Sequence, residues 1–153
     1  MRLLFVCLGN ICRSPAAEAV MTHLLAEAGA DHITCDSAGI LDYHAGDPAD
    51  RRMGRALQSR GYRSRGVSRP VISKDFSQFD LILAMDQQNF RDLQRLAPPD
   101  KGERIRMMCD YAGPHKGREV PDPYYGGPEG FDLVIDILED ACRGLLGDIH
   151  PGK

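Results

Sequence analysis

A short apolar run that leads directly into helix-start signals constrains this chain more than any other feature. Residues 3–8 are continuously apolar and partly β-branched, a pattern typical of a strand buried on both faces of a sheet. Ser14 and Pro15 then supply an N-cap and a first-turn proline for a helix over residues 15–28, which Gly29 ends. A buried strand followed by an amphipathic helix is the first part of a strand–helix–strand unit.

The same alternation continues along the chain. Strands are predicted over residues 33–38, 79–85 and 104–109, the last as a half-buried edge strand. Further helices are predicted after the cap-and-proline pair Asp47-Pro48, after the cap Asp86, and over residues 131–146. Residues 111–130 lack periodicity and predict a long loop, whose length makes it a functional candidate. This order predicts one α/β domain, residues 1–153, with a parallel sheet covered by helices on both faces.

Composition excludes several classes of function. The 19 Lys and Arg against 22 Asp and Glu give a net charge of −3, which argues against a nucleic-acid or membrane partner. No apolar stretch approaches the ~18 residues that span a bilayer. The five cysteines are irregularly spaced and odd in number, which favours free thiols in a reducing cytoplasm. The histidines have no metal-ligand spacing and no nucleotide-binding glycine pattern occurs, so neither a metal nor a cofactor is predicted.

The loop after the first strand carries the chemistry. It reads Cys7-Leu8-Gly9-Asn10-Ile11-Cys12-Arg13-Ser14-Pro15 and joins a strand end to a helix start, where free backbone N–H groups and the helix dipole bind anions. Gly9 and Asn10 tolerate the dihedral angles that such a cradle needs. Arg13 can hold two oxygens of a tetrahedral anion. Cys7, at the mouth of this positive site, is expected to be a thiolate, and a thiolate facing a bound phosphate is a nucleophile for phosphorus.

On these residues the chain resembles the low-molecular-weight protein tyrosine phosphatases. The matches follow one another in order along nearly the whole chain: residues 6–15 with Ala17-Glu18, Asp36-Ser37-Ala38-Gly39, Gly46-Asp47-Pro48 with Asp50 and Arg52, Phe79-Asp80 with Ile82, Met85-Asp86, and Asp122-Pro123-Tyr124-Tyr125. The resemblance implies a four-stranded parallel sheet in a flavodoxin-like three-layer fold and a metal-free, two-step phosphatase reaction. It implies tyrosine-phosphorylated proteins or peptides as partners, and phosphate or other oxyanions as ligands.

Carried over position by position, the resemblance assigns three catalytic residues. Cys7 would form a phosphocysteine, and Arg13 would bind the equatorial phosphate oxygens in the transition state. Asp122 would protonate the leaving phenolate and then deprotonate the attacking water. The remaining residues of the phosphate-binding loop would be Leu8, Gly9, Asn10, Ile11, Cys12 and Ser14, with the Ser14 hydroxyl donating to the Cys7 sulfur.

Two further sets of positions follow from the resemblance. Ser37 would support the loop through Asn10, although Gly66 stands where better-known members have a histidine in this network, which leaves open what completes the support. The slot that leads to the phosphate would be lined by Leu8, Ile11, Tyr43 and Tyr124, and its depth suits a phenyl phosphate.

Three alternatives remain open at this stage. Related phosphoarginine phosphatases carry Thr where this chain has Ile11, and an aliphatic residue there favours phosphotyrosine. Arsenate reductases with the same loop need additional cysteines in a segment that corresponds to residues 83–94, where this chain has none. A phosphotyrosine-binding or redox-sensing module without turnover is the third alternative.

The four cysteines other than Cys7, and the uneven distribution of charge along the chain, lead to the last predictions. The resemblance implies that Cys12 forms a reversible disulfide with Cys7 and so protects it from over-oxidation. Cys35, Cys109 and Cys142 are predicted to be core residues. Arginines crowd one third of the chain, which we interpret as solvated surface, with attraction for acidic phosphoprotein segments as the alternative; they are Arg51, Arg52, Arg55, Arg60, Arg63, Arg65 and Arg69.

Overall fold

A parallel sheet forms the middle layer of the molecule. The computed structural model describes residues 1–124 and 126–151, so the Tyr125 match and the last two residues of the predicted domain lie outside the described residues. The sheet has the order β2-β1-β3-β4, with the strands β1 Arg2–Cys7, β2 Thr34–Gly39, β3 Leu81–Ala84 and β4 Ile105–Met107. This confirms the four-stranded parallel sheet. Because β1 lies between β2 and β3, the loop after Cys7 emerges among the carboxyl ends of three neighbouring strands.

Helices cover both faces of this sheet. They are α1 Arg13–Glu27, α2 Arg51–Ser59, α3 Asp75–Gln78, α4 Gln87–Leu96 and α5 Pro128–Ile149, with 3₁₀ turns at Gly102–Arg104 and Met108–Tyr111. Leu3 and Phe5 of β1 pack into a core with α1, α2 and α5, whereas Leu4 and Val6 pack on the other face with α3 and α4. The alternation along β1 therefore fills two cores, and the three-layer arrangement is confirmed. No helix in residues 1–124 and 126–151 is long and apolar enough to cross a membrane.

Two of the predicted helix starts are wrong. The structure starts α1 at Arg13 with Cys12 in the cap position and no side-chain cap, because the Ser14 hydroxyl faces inward to Cys7. Helix α2 does not begin at the predicted pair Asp47-Pro48 but three residues later, at Arg51. The Asp50 carboxylate caps it by accepting from the Arg52 N–H at 2.8 Å. The segment before it is held in loop form by backbone hydrogen bonds between Asp47 and Ser68 and from the Asp50 N–H to the Ile11 carbonyl.

The remaining boundaries lie closer to the predictions. Asp86 caps α4 as predicted, since its carboxylate accepts from the Asn89 N–H at 2.7 Å. Helix α5 begins at Pro128, three residues before the predicted start, because the proline fits its first turn. The predicted loop is shortened at both ends by α5 and by the turn Met108–Tyr111. Helix α3 was not predicted, because its four residues are too few to show a period.

Gly144 of α5 allows this helix to lie directly against the main chain of Tyr111. A Cβ atom at residue 144 would lie 1.7 Å from the Tyr111 carbonyl oxygen, whereas one at Gly147 of the same helix would meet no atom within 4 Å. We expect Gly144→Ala to lower the free energy of unfolding by about 2–3 kcal/mol, because the helix must move away from a backbone atom. Gly147→Ala should raise it by about 0.5–1 kcal/mol. Urea unfolding followed by circular dichroism measures both, and equal stability of the two variants would contradict the assigned contact.

Candidate active site

Asn10 fixes the shape of the loop that connects β1 to α1. Its φ of 58° lies in the left-handed region, which few residues other than glycine adopt. Its amide nitrogen donates to the Ser14 and Ser37 hydroxyls at 2.8 and 3.0 Å, and its side-chain oxygen accepts from the Arg69 N–H at 3.0 Å. These three hydrogen bonds hold the strained backbone in place. The structure thus brings together Asn10, Ser14 and Ser37, the residues that the resemblance assigns to the loop and its support.

The Cys7 sulfur lies at the carboxyl end of β1 and has one hydroxyl neighbour. Cys7 is 3% exposed, and its Sγ lies 3.1 Å from Ser14 Oγ. Because Ser14 Oγ already accepts from Asn10, the hydroxyl proton is available for the sulfur or for the more distant Ala38 carbonyl at 3.4 Å. The arrangement allows Ser14 to donate a hydrogen bond to a Cys7 thiolate.

Glu18 and Ser68 complete the support of the loop, and sequence analysis assigned neither of them a role. The Ser37 hydroxyl donates to Glu18 Oε1 at 2.7 Å, and the Ser68 hydroxyl donates to the Gly9 carbonyl at 3.1 Å. Burial raises the pKa of Glu18, while the Ser37 hydrogen bond opposes this shift. Glu18 lies four residues after Ser14, on the same side of α1, and this spacing was a signal in the sequence. The chain has Gly66 where better-known members have a histidine. Here the Ser37 and Ser68 hydroxyls, the Glu18 carboxyl group and the Arg69 N–H support the loop.

Arg13 is buried and oriented by groups from two other segments. Its side chain is 3% exposed, and Nη1 donates to Asp86 Oδ2 at 2.6 Å and to the Val120 carbonyl at 3.1 Å. Burial disfavours the charged guanidinium, but Cys7 and Asp86 outweigh it and raise the pKa of Arg13 above its usual range. The residue therefore remains a cation with a fixed direction. Asp86, to which the sequence analysis gave no role beyond capping α4, uses one carboxylate oxygen for that cap and the other to hold Arg13.

A cavity of about 300 Å³ opens above the Cys7 sulfur. It is lined by Cys7, Leu8, Gly9, Ile11, Cys12, Arg13, Leu41, Tyr43, His44, Asp122 and Tyr124. The lining includes the four residues that the resemblance assigns to the substrate slot: Leu8, Ile11, Tyr43 and Tyr124. Leu41 and His44 were missed, although their position after the carboxyl end of β2 indicated this edge of the sheet. Tyr43 is 82% exposed whereas Cys7 is buried, so the cavity runs from an aromatic rim down to the thiol.

Asp122 lies in the same cavity, on the loop before α5. Its side chain is 44% exposed, Oδ2 lies 3.8 Å from Arg13 Nη2, and Oδ1 accepts from the Tyr124 N–H at 3.1 Å. The loop is anchored two residues earlier, where the Val120 N–H donates to the Met85 carbonyl at 2.9 Å and the Val120 carbonyl accepts from Arg13. These contacts place a carboxylate from the distant loop beside the predicted phosphate site.

The five cysteines are all free thiols, and their surroundings differ. Cys12 lines the active-site cavity, and burial, reinforced by Asp50 and Cys7, raises its pKa far above the usual range. Cys109 and Cys142 are core residues as predicted, whereas Cys35 is only partly buried and packs against the core edge. Burial raises the pKa of Cys109 to about 11 and that of Cys35 to about 12. In the part of the chain that the structure describes, no His, Cys, Asp and Glu side chains cluster as metal ligands would.

Comparisons with known proteins agree with this geometry. Residues 2–152 match the family model of the low molecular weight phosphotyrosine protein phosphatases. A Synechocystis sp. protein named as a low molecular weight protein-tyrosine-phosphatase is 55% identical over 95% of this chain and 94% of its own length. The Entamoeba histolytica protein tyrosine phosphatase with Hepes in its active site is 51% identical, with a TM-score of 0.95 over 99% of this chain and 98% of that chain.

A third relative is named for a different activity. The Drosophila arginine phosphatase is 30% identical and superimposes with a TM-score of 0.93 over 100% of both chains. The fold is therefore shared by enzymes named for two phosphorylated residues. The chain therefore belongs to the low molecular weight phosphotyrosine protein phosphatase family, as shown by the family match over residues 2–152 and by the 55% identity to the Synechocystis protein.

Proposed function

We propose that residues 1–153 act as one catalytic domain that hydrolyses phosphotyrosine in proteins or peptides through a phosphocysteine, without a cofactor. One observation carries the proposal: the Cys7 sulfur, the Arg13 guanidinium and the Asp122 carboxyl group line one cavity, with the sulfur buried at its floor. Nucleophile, anion-binding group and proton donor are the three parts that a phosphomonoester hydrolysis needs.

In the first step the Cys7 thiolate attacks phosphorus. The sulfur–phosphorus bond forms while the bond from phosphorus to the phenolic oxygen breaks, and Asp122 gives its proton to the departing phenolate. Arg13 and the loop N–H groups bind the equatorial oxygens, where negative charge spreads in the transition state. Asp86 and the Val120 carbonyl hold Nη1 of Arg13 in place, so the guanidinium does not have to reorganise as the charge develops.

In the second step water replaces the sulfur. The Asp122 carboxylate takes a proton from the attacking water, and the sulfur–phosphorus bond breaks to release inorganic phosphate. Cys7 leaves as a thiolate, and the Ser14 hydroxyl, 3.1 Å from the sulfur, stabilises it by donating a hydrogen bond. Phosphate and related oxyanions are therefore expected as product inhibitors, and the active-site Hepes of the Entamoeba enzyme, which carries a sulfonate, supports this expectation.

Ile11 favours phosphotyrosine over phosphoarginine. It is buried in the cavity wall within the nucleophile loop, where its apolar side chain suits a phenyl ring and offers no hydrogen bond to a guanidino group. We expect the wild-type protein to hydrolyse a phosphotyrosine peptide at least about tenfold more efficiently, in kcat/KM, than the matched phosphoarginine peptide. Ile11→Thr should narrow this preference, because Thr keeps the branched shape and adds a hydroxyl.

The substrate panel also separates the other functions. Parallel assays use both peptides, para-nitrophenyl phosphate, and arsenate with thioredoxin. Preference of the wild-type protein for phosphoarginine would make it an arginine phosphatase, like the Drosophila relative. Oxidation of thioredoxin that depends on arsenate would identify a reductase. Binding of phosphotyrosine with no release of phosphate by the reduced protein would indicate a binding module.

Cys12 is proposed to protect Cys7 from irreversible oxidation in the cytoplasm. Both thiols line the same cavity, and the raised pKa of Cys12 keeps it protonated, so peroxide reacts first with Cys7. Peroxide converts the Cys7 thiolate to a sulfenic acid and is itself reduced. The Cys12 sulfur then attacks the sulfenic sulfur, its proton leaves with the displaced hydroxide as water, and a disulfide forms. Free thiols at all five cysteines fit a reducing compartment.

Cys12→Ser should make peroxide inactivation irreversible. After brief treatment with peroxide, we expect dithiothreitol to restore most activity of the wild-type protein and less than about a tenth of the activity of Cys12→Ser, because sulfinic acid at Cys7 is not reduced by thiols. Recovery is measured with para-nitrophenyl phosphate and the Cys7 adduct by mass spectrometry. Cys35→Ser is the matched control and should recover like the wild type. Equal recovery of Cys12→Ser would refute a protective disulfide.

A further inference from the structure

A second, larger groove runs along α2. It has a volume of about 670 Å³ and is lined by Arg51, Gly54, Arg55, Gln58, Gly61, Tyr62, Arg63 and Ser64, which we call the basic groove. Arg51, Arg55 and Gln58 follow one another at helical spacing, so one exposed face of α2 forms a wall. Gly54 leaves the floor open, because a Cβ atom there would meet nothing within 4 Å.

The arginines of the basic groove differ from Arg52, Arg60 and Arg69, each of which has an acidic partner in the part of the chain that the structure describes. Arg60, just after α2, contacts Asp132, Asp136 and Glu139 of α5. By contrast, Arg51, Arg55 and Arg63 are exposed and form no ion pair with any residue in ranges 1–124 and 126–151. Arg51 and Arg55 are also like charges four residues apart on one helix, which is unfavourable until an anion lies between them.

The basic groove begins beside the active-site cavity. The Asp50 N–H, immediately before α2, donates to the Ile11 carbonyl of the phosphate loop at 2.8 Å. The Arg52 guanidinium lies 5.2 Å from the centre of the Tyr124 ring at the rim of the cavity. The nine residues of α2 extend from this rim for about 13 Å, a length that an extended peptide covers in about four residues.

We propose that the basic groove binds an acidic segment of the substrate protein, with Asp or Glu side chains within about five residues of the phosphotyrosine. This inference rests on the proposed function and names a substrate class for the same active site. Guanidinium groups form paired hydrogen bonds with carboxylates, and three unpaired guanidiniums on a protein of net charge −3 make a local site for them. For Arg51, Arg55 and Arg63 the proposal takes up the alternative to solvated surface, attraction for acidic phosphoprotein segments.

The test compares two phosphotyrosine peptides of equal length, one flanked by Glu and Asp and one by Gln and Asn. For the wild-type protein we expect kcat/KM to be about tenfold higher for the acidic peptide at low ionic strength. The ratio should approach one in about 1 M NaCl, where charges are screened beyond about 3 Å. Arg51→Ala/Arg55→Ala/Arg63→Ala should bring the ratio close to one without high salt. Gly54→Met, which fills the floor and retains every charge, should also lower it.

Two controls separate the groove from general charge and from catalysis. Lys74→Ala/Arg91→Ala/Arg95→Ala removes three positive charges at α3 and α4, on the opposite side of the sheet from α2, and should keep the tenfold ratio. Para-nitrophenyl phosphate has no flanking residues, so its turnover should be the same in the wild type, the groove variants and the control. A tenfold ratio that survives in the triple groove variant would overturn the inference.

The outcome for the groove is distinguishable from the outcome for the proposed function. Peptide affinities are also measured by fluorescence anisotropy with Cys7→Ser, which does not turn the peptides over. Hydrolysis of both peptides with equal kcat/KM and equal Kd would refute the groove alone. Absence of hydrolysis for every phosphotyrosine peptide would refute the proposed function, while the Kd ratio would still decide the groove. Stronger competition for the groove by a single-stranded RNA than by the acidic peptide would overturn the assignment to a protein segment.

Discussion

Cys7→Ser should lower kcat for any phosphomonoester by about 10⁴–10⁶-fold while phosphate and vanadate still bind. The hydroxyl that replaces the sulfur is a far weaker nucleophile, because it remains protonated at neutral pH. The groups that bind the anion are not affected: Arg13 keeps Asp86 and Val120, and Asn10 still holds the loop through Ser37 and Arg69. Steady-state hydrolysis of para-nitrophenyl phosphate and calorimetric titration with vanadate measure the two effects separately.

The matched control for this variant is Cys35→Ser, which makes the same change outside the active site. Cys35 is partly buried at the core edge and should retain nearly full turnover. Loss of vanadate binding in Cys7→Ser would mean that the sulfur itself maintains the loop. Turnover above about a hundredth of the wild-type kcat in the purified variant would contradict the role of Cys7 as the nucleophile.

Asp122→Ala should cost about 10²–10⁴-fold in kcat/KM on aryl or alkyl phosphates with poor leaving groups, and much less on activated ones. A poor leaving group needs its proton in the transition state, whereas a nitrophenolate departs without one. A series of substituted phenyl phosphates with rising phenol pKa measures this dependence. For the variant, the logarithm of the rate should fall steeply with leaving-group pKa, and for the wild type the slope should be shallow.

Asp122→Asn distinguishes proton transfer from loop geometry. The amide keeps an oxygen that can accept from the Tyr124 N–H, the contact that Asp122 makes at 3.1 Å, but it has no acidic proton. We therefore expect Asn and Ala to give the same leaving-group dependence. Recovery of wild-type slope by Asn would show that the side chain acts by positioning the loop, and equal losses across all leaving groups would assign proton transfer to another residue.

Local patterns predicted the fold well because they report burial. The apolar runs that became β1 and β3, and the stripe that became α5, each reflect one face or two faces turned to the core. Helix starts were less predictable, since a residue such as Ser14 is equally suited to cap a helix or to bond inside the site. In the structure the Ser14 hydroxyl bonds to Cys7 and does not cap the helix, because this contact gives the buried sulfur a hydrogen-bond partner. No local sequence pattern contains that information.

The candidate site was predictable where one segment contains it and less so where distant segments meet. Cys7, Asn10, Arg13 and Ser14 lie in one loop, so their association follows from sequence order. Asp86 and Glu18 joined the site through contacts to Arg13 and Ser37, which depend on strand order and helix packing. Likewise Leu41 and His44 reach the cavity only because β2 lies beside β1.

Arg13 is held by both Asp86 and the Val120 carbonyl, and this arrangement couples anion binding to proton transfer. The same guanidinium that faces the phosphate site holds the Val120 carbonyl, two residues before Asp122. Substitutions at residue 13 therefore displace the acid as well as removing a charge, and their effects will not add to those at residue 122. Binding of the anion and delivery of the proton are thus set by a single guanidinium, and a double-mutant cycle between residues 13 and 122 measures that dependence directly.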